Sequence, residues 1–316
     1  MGYGSYSASA HRALLETRTE LATGQVFSQS SCHPLMNPHG VRLRESRDSP
    51  DHPNSVGVIF ALDVSASMGD IPHELATKTL PTFMETVLGV LPDAQVMFMA
   101  FGNAFADKSP LQVGQFESEA TSMDRWLSMI HVESGGGGLG ESYDLALYFA
   151  SRHTALDCYE KRQKKGYLFM TGDEPGFASL LPSTIATTLG TTLPEPILGH
   201  DMVSEVQKRF HTFFLVPDPG RAAQSRVWVG WLHERCIILD RPSDAALCAA
   251  LLIAIEEREV VDRASILAFA TERSGSDTAL AERLTQAVLP FAVALAKGPI
   301  AGPDVLPVAN QPGFRG

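Results

Sequence analysis

Apolar residues in this chain gather into short unbroken runs, separated by longer stretches where they recur every three or four positions. The runs VGVIFAL at 56–62, QVMFMAF at 95–101, GYLFMT at 166–171 and FHTFFLV at 210–216 read as strands covered on both faces, the pattern of a parallel sheet. Leu111 to Phe116 reads as a short strand at the sheet edge, after a turn from Asn103 to Pro110, and Cys236 to Leu239 as one more strand. Between them, Ile71 to Val90 is helical by spacing, with Leu75, Thr79, Leu80, Phe83, Val87 and Leu91 near one face and Pro81 placed to kink it. Further helices are predicted over Thr121 to Ile130, from near Glu141 towards Lys164, His200 to Arg209, Arg221 to His233, Ser243 to Glu257 and Asp277 to Leu295. This alternation predicts an α/β fold with a doubly wound, mostly parallel central sheet flanked by helices.

The same pattern divides the chain. Residues 1–54 are polar, with a helix expected around His11 to Leu21 and no core of their own; 55–297 form the main domain; 298–316 are a Gly/Pro-rich tail, mobile or laid across the surface. With 316 residues and 44% hydrophobic content, one large domain with two flanks can bury a sizeable core. Ser179 to Gly199, with Pro182, Pro194 and Pro196, is long for a connection, and reads either as a binding loop or lid or as a plain surface excursion.

Chemistry enters where the apolar runs stop. The first run ends in Asp63, Ser65 and Ser67 at alternate positions. These are hard oxygen donors with no thiol, imidazole or activating base among them, which suits Mg2+ or a similar cation. The competing reading is that Ser65 or Ser67 caps the following helix. A glycine run, Ser134 to Gly140, then leads into Glu141 and Ser142. A phosphate-binding loop would need Gly-Lys-Ser/Thr there, and the carboxylate of Glu141 would repel phosphate. A third acidic loop, Gly172-Asp173-Glu174-Pro175, follows the strand ending at Thr171.

The D-x-S-x-S pattern after an apolar strand resembles the metal-ion-dependent adhesion site of von Willebrand factor A domains, also known as integrin I domains. That resemblance covers roughly residues 55 to 239 and implies a Rossmann-like fold. It assigns the second-loop ligand to Glu141, the Glu version of that loop, with Ser142 as the neighbour that inherits the role if the alignment slips by one. It assigns the third loop's ligand to Asp173, supported by Thr171, although Gly172 intervenes where the family has a Thr-Asp dipeptide. The implied arrangement has Ser65, Ser67 and Glu141 on the cation and Asp63 and Asp173 reaching it through water, with Mg2+ expected and Mn2+ or Ca2+ as alternatives. One open position would take an Asp or Glu of a partner protein, so the implied chemistry is recognition without turnover. A directly bound Glu141 adds negative charge and should weaken the cation's hold on that partner carboxylate. Similar bacterial cytoplasmic A-domain proteins work beside MoxR-type AAA ATPases, which implies an adaptor role here.

Composition narrows the alternatives. A formal net charge of -11 argues against a protein whose main work is to neutralise nucleic-acid phosphates or coat anionic lipid. Cys32, Cys158, Cys236 and Cys248 show no close pairing, so a disulfide framework is not expected, and Cys32, His33 and His39 lack a fourth zinc ligand at finger spacing. The basic cluster Lys161 to Lys165 suits a helix C-terminus without any ligand. No basic segment precedes an apolar run at the N-terminus and no later run reads as a membrane span, so a cytoplasmic protein is expected. The enzyme alternative is a Mg2+-dependent phosphohydrolase of haloacid dehalogenase type. Its D-x-D motif needs a second acid where this chain has Ser65, and its later motif needs an Asp beyond Asp173 where Phe177 stands. A structural subunit with a vestigial metal site is the third reading.

Overall fold

The four long apolar runs become the middle of a six-stranded sheet. In chain order its strands are β1 (Val56–Asp63), β2 (Ala94–Phe101), β3 (Leu111–Val113), β4 (Gly166–Thr171), β5 (Phe210–Val216) and β6 (Cys236–Ile238). The computed structural model describes residues 4–65, 68, 70–132 and 140–304. Across the sheet the order is β6-β5-β4-β1-β2-β3, every pair parallel except β3, which runs antiparallel to β2 at the edge. The architecture is the doubly wound, mostly parallel α/β sheet expected from the pattern. Its topology fixes where a ligand can sit. The chain winds outward from β1 through β2 in one direction and from β4 through β5 in the other, so the carboxyl ends of β1 and β4 border the switch-point crevice.

Helices cover the sheet, and those used below are α1 (Ala8–Glu16), α2 (Leu80–Val90), α3 (Ala120–Ser128), α4 (Tyr143–Arg152), α5 (Gly199–Val206), α6 (Arg226–Leu232), α7 (Ala245–Glu256), α8 (Arg263–Arg273) and α9 (Thr278–Lys297). Helix α7 is apolar around its whole circumference because it is a middle layer, packed against α2, α9 and β4. The helix expected over 71–90 forms as Asp70–Glu74, a widened π-type turn at Leu75–Thr79, then α2. Pro81 brings no N–H to the ladder. Thr77 Oγ1 donates to His73 O at 2.7 Å and Thr79 Oγ1 to Glu74 O at 3.2 Å, side-chain bonds back to the preceding turn.

Four segments differ from the sequence expectation. The helix predicted from Glu141 towards Lys164 stops at Arg152, because Thr154–Leu156 leaves it to pair in parallel with Arg44–Ser46, and helical structure resumes at Asp157–Arg162. The connection from 179 to 199 carries its own hairpin, Ser179–Leu180 against Ile197–Leu198, with a helix at Pro182–Leu189. Helix α8 escaped the periodicity because it buries only Ile266 and Ala270; the Asp262 cap, reciprocated by Ser265, is the signal that marks its start. Helix α9, at 20 residues, is long and apolar enough to cross a membrane, contrary to the expectation that no run would be. Its buried stripe of Leu284, Val288, Phe291 and Leu295 faces the protein, which accounts for the apolar composition.

The N-terminal flank lies on the sheet domain. Arg18 clamps Asp124 of α3 with contacts of 2.6 and 2.9 Å, and Arg12 of α1 pairs with Glu85 of α2. The cluster at 161–165 works the same way: Arg162 and Lys161 hold Asp48, while Lys164 reaches Glu257. Asp304 N donates to Gly230 O of α6 at 3.0 Å, and Gly302 O lies 3.0 Å from Nε2 of His233, just past that helix.

One buried ion cluster gives a pH prediction. Glu256 accepts from His211 at 2.8 Å and Arg235 at 3.1 Å, and these contacts hold its carboxyl down at about 2 against its burial. A depressed carboxyl stabilises the fold above its unfolded value near 4.5 and ceases to do so as pH falls through 2. Glu256→Gln should therefore lower stability by about 2 kcal/mol at pH 6, with the difference from wild type shrinking between pH 4.5 and 2 in urea titrations.

Candidate metal centre

Strand β1 delivers Asp63 fully buried at the switch point. Its Oδ1 accepts the Ser65 N–H at 2.9 Å, the Asx-type turn that Asp makes with a backbone two residues on, and its Oδ2 accepts the Tyr143 hydroxyl at 3.2 Å. Its own N–H donates to Thr171 Oγ1 at 3.4 Å, so Thr171 ties the end of β4 to the end of β1. Burial pushes the Asp63 carboxyl up to about 7, with the neighbouring Asp173 adding to the shift. Ser65 is buried beside it, and Ser67 lies outside the described residues.

Glu141 reaches the same end of the sheet from the second loop. Gly140 precedes it at φ +96°, a conformation glycine adopts without strain, and a side chain there would meet Pro175 O at 2.8 Å. The Glu141 N–H donates to that same Pro175 carbonyl at 3.2 Å, and Glu141 pairs in a short parallel bridge with Gly176. Its Oε2 is buried with no hydrogen-bond partner. The carboxyl is pushed up to about 9, first by burial and then by the negative charges of Asp63, Asp107, Glu174 and Asp173. Ser142, the alternative ligand, has its Oγ engaged by the Ala104 N–H at 2.9 Å.

The third loop brings buried Asp173 and half-buried Glu174. Arg221, just beyond β5, sits 3.7 Å from Asp173 Oδ2 and 3.2 Å from Glu174 Oε1. Three segments thus converge at the carboxyl ends of β1 and β4, placing Asp63, Glu141 and Asp173 within electrostatic reach of one another, with Ser65 beside Asp63. Among the described residues no three His, Cys, Asp or Glu side chains form a ready-made ligand cluster. The carboxylates are electrostatic neighbours, and hydroxyl and water oxygens would have to complete any coordination shell. Cys32, His33 and His39 form no such cluster either, and His33 Nδ1 accepts the Leu35 N–H.

Two residues that tie these loops together were not legible as site residues. Tyr143, in the first turn of α4, donates to Asp63 and accepts the Glu174 N–H at 3.4 Å, while its ring is wedged among Phe101, Phe214 and Trp228. One buried phenol therefore links the first and third loops. Asn103, in what the sequence marks only as a turn, donates to Gly140 O at 2.8 Å and holds the second loop in place.

No protein-family profile matches the chain, and no curated protein matches it. Solved structures with a similar arrangement include proximal thread matrix protein 1 from the mussel byssus, at 10% identity and a TM-score of 0.41, over 66% of this chain and 50% of that one. A second structure of that protein, described as having a zinc occupied MIDAS motif, gives the same figures: 10%, 0.41, 66% and 50%. The pilus adhesin SpaC from Lactobacillus rhamnosus GG, in an open conformation, matches at 11% identity and a TM-score of 0.41, over 65% of this chain and 30% of that one. The chain spans half or less of the length of these proteins. Likeness at this level leaves function to the chemistry of this chain's own residues.

Proposed function

We propose that the chain is a divalent-cation-dependent protein-interaction module whose site lies where three acidic loops meet at the carboxyl ends of β1 and β4. The observation that carries this reading is the buried Glu141 Oε2, without a hydrogen-bond partner and facing the field of four other carboxylates. A buried carboxylate is costly unless paired or bound to a cation. The donor set of Asp, Glu and Ser oxygens fits Mg2+, with Mn2+ or Ca2+ as alternatives, and offers no soft ligand. Ser65, Ser67 and Glu141 would hold the cation, with Asp63 and Asp173 orienting water around it. When bound, the cation supplies an electrophilic position for a carboxylate oxygen of a partner protein. Tyr143 and Thr171 keep the loops in register for that event. An adaptor role beside a MoxR-type AAA ATPase in the cytoplasm belongs to the same reading and rests on the sequence resemblance.

Protons compete with the cation in this account. Asp63 at about 7 and Glu141 at about 9 must release protons when a divalent cation binds, so affinity should fall as pH falls. Thermal shift induced by MgCl2 or MnCl2 should be larger at pH 8 than at pH 6; an equal shift at both, or none at either, would contradict the assignment of these carboxylates.

A further inference from the structure

Phe105 is 64% exposed, the most exposed large apolar side chain among the described residues. Its position is held from both sides. The Phe105 N–H donates to Asn103 Oδ1 at 2.8 Å and the Ala104 N–H to Ser142 Oγ at 2.9 Å, while Asn103 Nδ2 donates to Gly140 O at 2.8 Å. The loop that presents Phe105 is thus tied to the residues on either side of Glu141. The ring stands edge-on against Phe177, with centroids 4.9 Å apart, and a side chain at Gly140 would lie 3.5 Å from the Phe177 ring. An aromatic pair is therefore anchored beside the residue that precedes Glu141.

An exposed phenylalanine fixed by its backbone is pre-organised for contact and loses little freedom when covered. Its surroundings restrict what can cover it. Asp63, Asp107, Asp173 and Glu174 all act on Glu141, and Arg221 is engaged with Asp173 and Glu174. A second acid on an incoming segment would meet like charge. We infer that the partner segment carries a single carboxylate with a bulky apolar side chain next to it, the carboxylate directed to the cation and the apolar side chain seated on Phe105. This rests on the function proposed above and adds the source of specificity: the cation takes any carboxylate, and Phe105 selects among them.

The test uses the full chain with saturating MnCl2 and three capped peptides: one Asp in a Gly/Ser frame, the same with Phe on each side of the Asp, and the same with Asp on each side. Calorimetry should rank the Phe-flanked peptide about tenfold or more tighter than the single-Asp peptide, and the tri-acidic peptide weakest. Phe105→Ala, at an exposed position where folding is insensitive, should erase the tenfold gain and leave the single-Asp peptide unchanged, and Phe105→Leu should restore part of it. Equal affinity for the first two peptides, or a gain that survives Phe105→Ala, overturns the inference. Failure of the wild-type chain to bind Mn2+ overturns the parent reading and this one together, whereas Mn2+ binding without the Phe preference overturns this one alone.

Discussion

Glu141→Gln is expected to make the protein more stable in chelator while removing most of its response to divalent cations. The wild-type carboxyl is buried and pushed up to about 9, from a model-peptide value of 4.5. For an acid whose folded value is raised, the penalty is absent below the unfolded value, grows as pH rises between the two, and is complete above the folded one. Between pH 5 and pH 9 wild type should thus lose stability in EDTA, by on the order of 2 kcal/mol at pH 7 after allowing for relaxation around the site. The neutral amide escapes that penalty and relieves the repulsion among its neighbours. It also removes the charge that would hold the cation, so affinity for Mg2+ should fall by at least about tenfold. Urea titrations in EDTA and in MgCl2 at pH 8 read both effects. A variant less stable than wild type in EDTA would mean that Glu141 has a favourable structural partner in solution, and that its carboxyl needs no cation.

Gly172→Ala should be the most damaging single-atom addition near the site. A side chain there would lie 2.5 Å from Tyr143 Cε1 and 2.7 Å from its Cζ, and Tyr143 is fully buried among three aromatic rings. Overpacking of this kind costs about 1–3 kcal/mol. The only relief is to push the phenol away, which breaks its bonds to Asp63 and Glu174, so cation binding should fail even where the fold survives. Gly24→Ala, where an added side chain meets nothing within 4 Å, is the matched control and should be near neutral in thermal melts. A Gly172→Ala protein with wild-type stability would remove Tyr143 from its place in the account.

These two positions show what the sequence carried and what it did not. Strand β1 was legible because a strand buried on both faces has to be an unbroken apolar run, and Asp63 stood out as the residue where that run ends. Glu141 and Asp173 stand out in the sequence as acids next to a glycine run and to the end of β4, and the structure brings the two carboxylates near each other; their ligand roles rest on the resemblance. Their convergence followed from the switch-point rule once the βαβ rhythm was recognised. Tyr143 was not legible: in sequence it is one more apolar residue of a helix, and its contacts to Asp63 and Glu174 span 80 and 31 positions. Arg221 and Phe105 share that difficulty, since each acts through a loop packed against another loop. Gly172, which looked like an intrusion into a Thr-Asp pair, has a physical cause in the phenol beneath it. The break at Arg152 was hidden because Thr154–Leu156 leaves the helix to pair with Arg44–Ser46, about 110 positions away in the chain, and such tertiary pairing overrides local helical preference. Ser67 and most of the glycine run at 133–139 fall outside the described residues, so their part in the site rests on the sequence.

The account turns on whether Asp63 and Glu141 create one divalent-cation site, and calorimetry measures that directly. Wild-type protein, Asp63→Ala and Glu141→Ala would each be titrated with MgCl2 and then MnCl2 at pH 8, after melts establish that the variants are folded. The account predicts one site per chain in wild type and loss of binding in both variants. Binding as strong as wild type in either folded variant would contradict it, and absence of binding by folded wild type would contradict it and bring forward the reading of a structural subunit with a vestigial site.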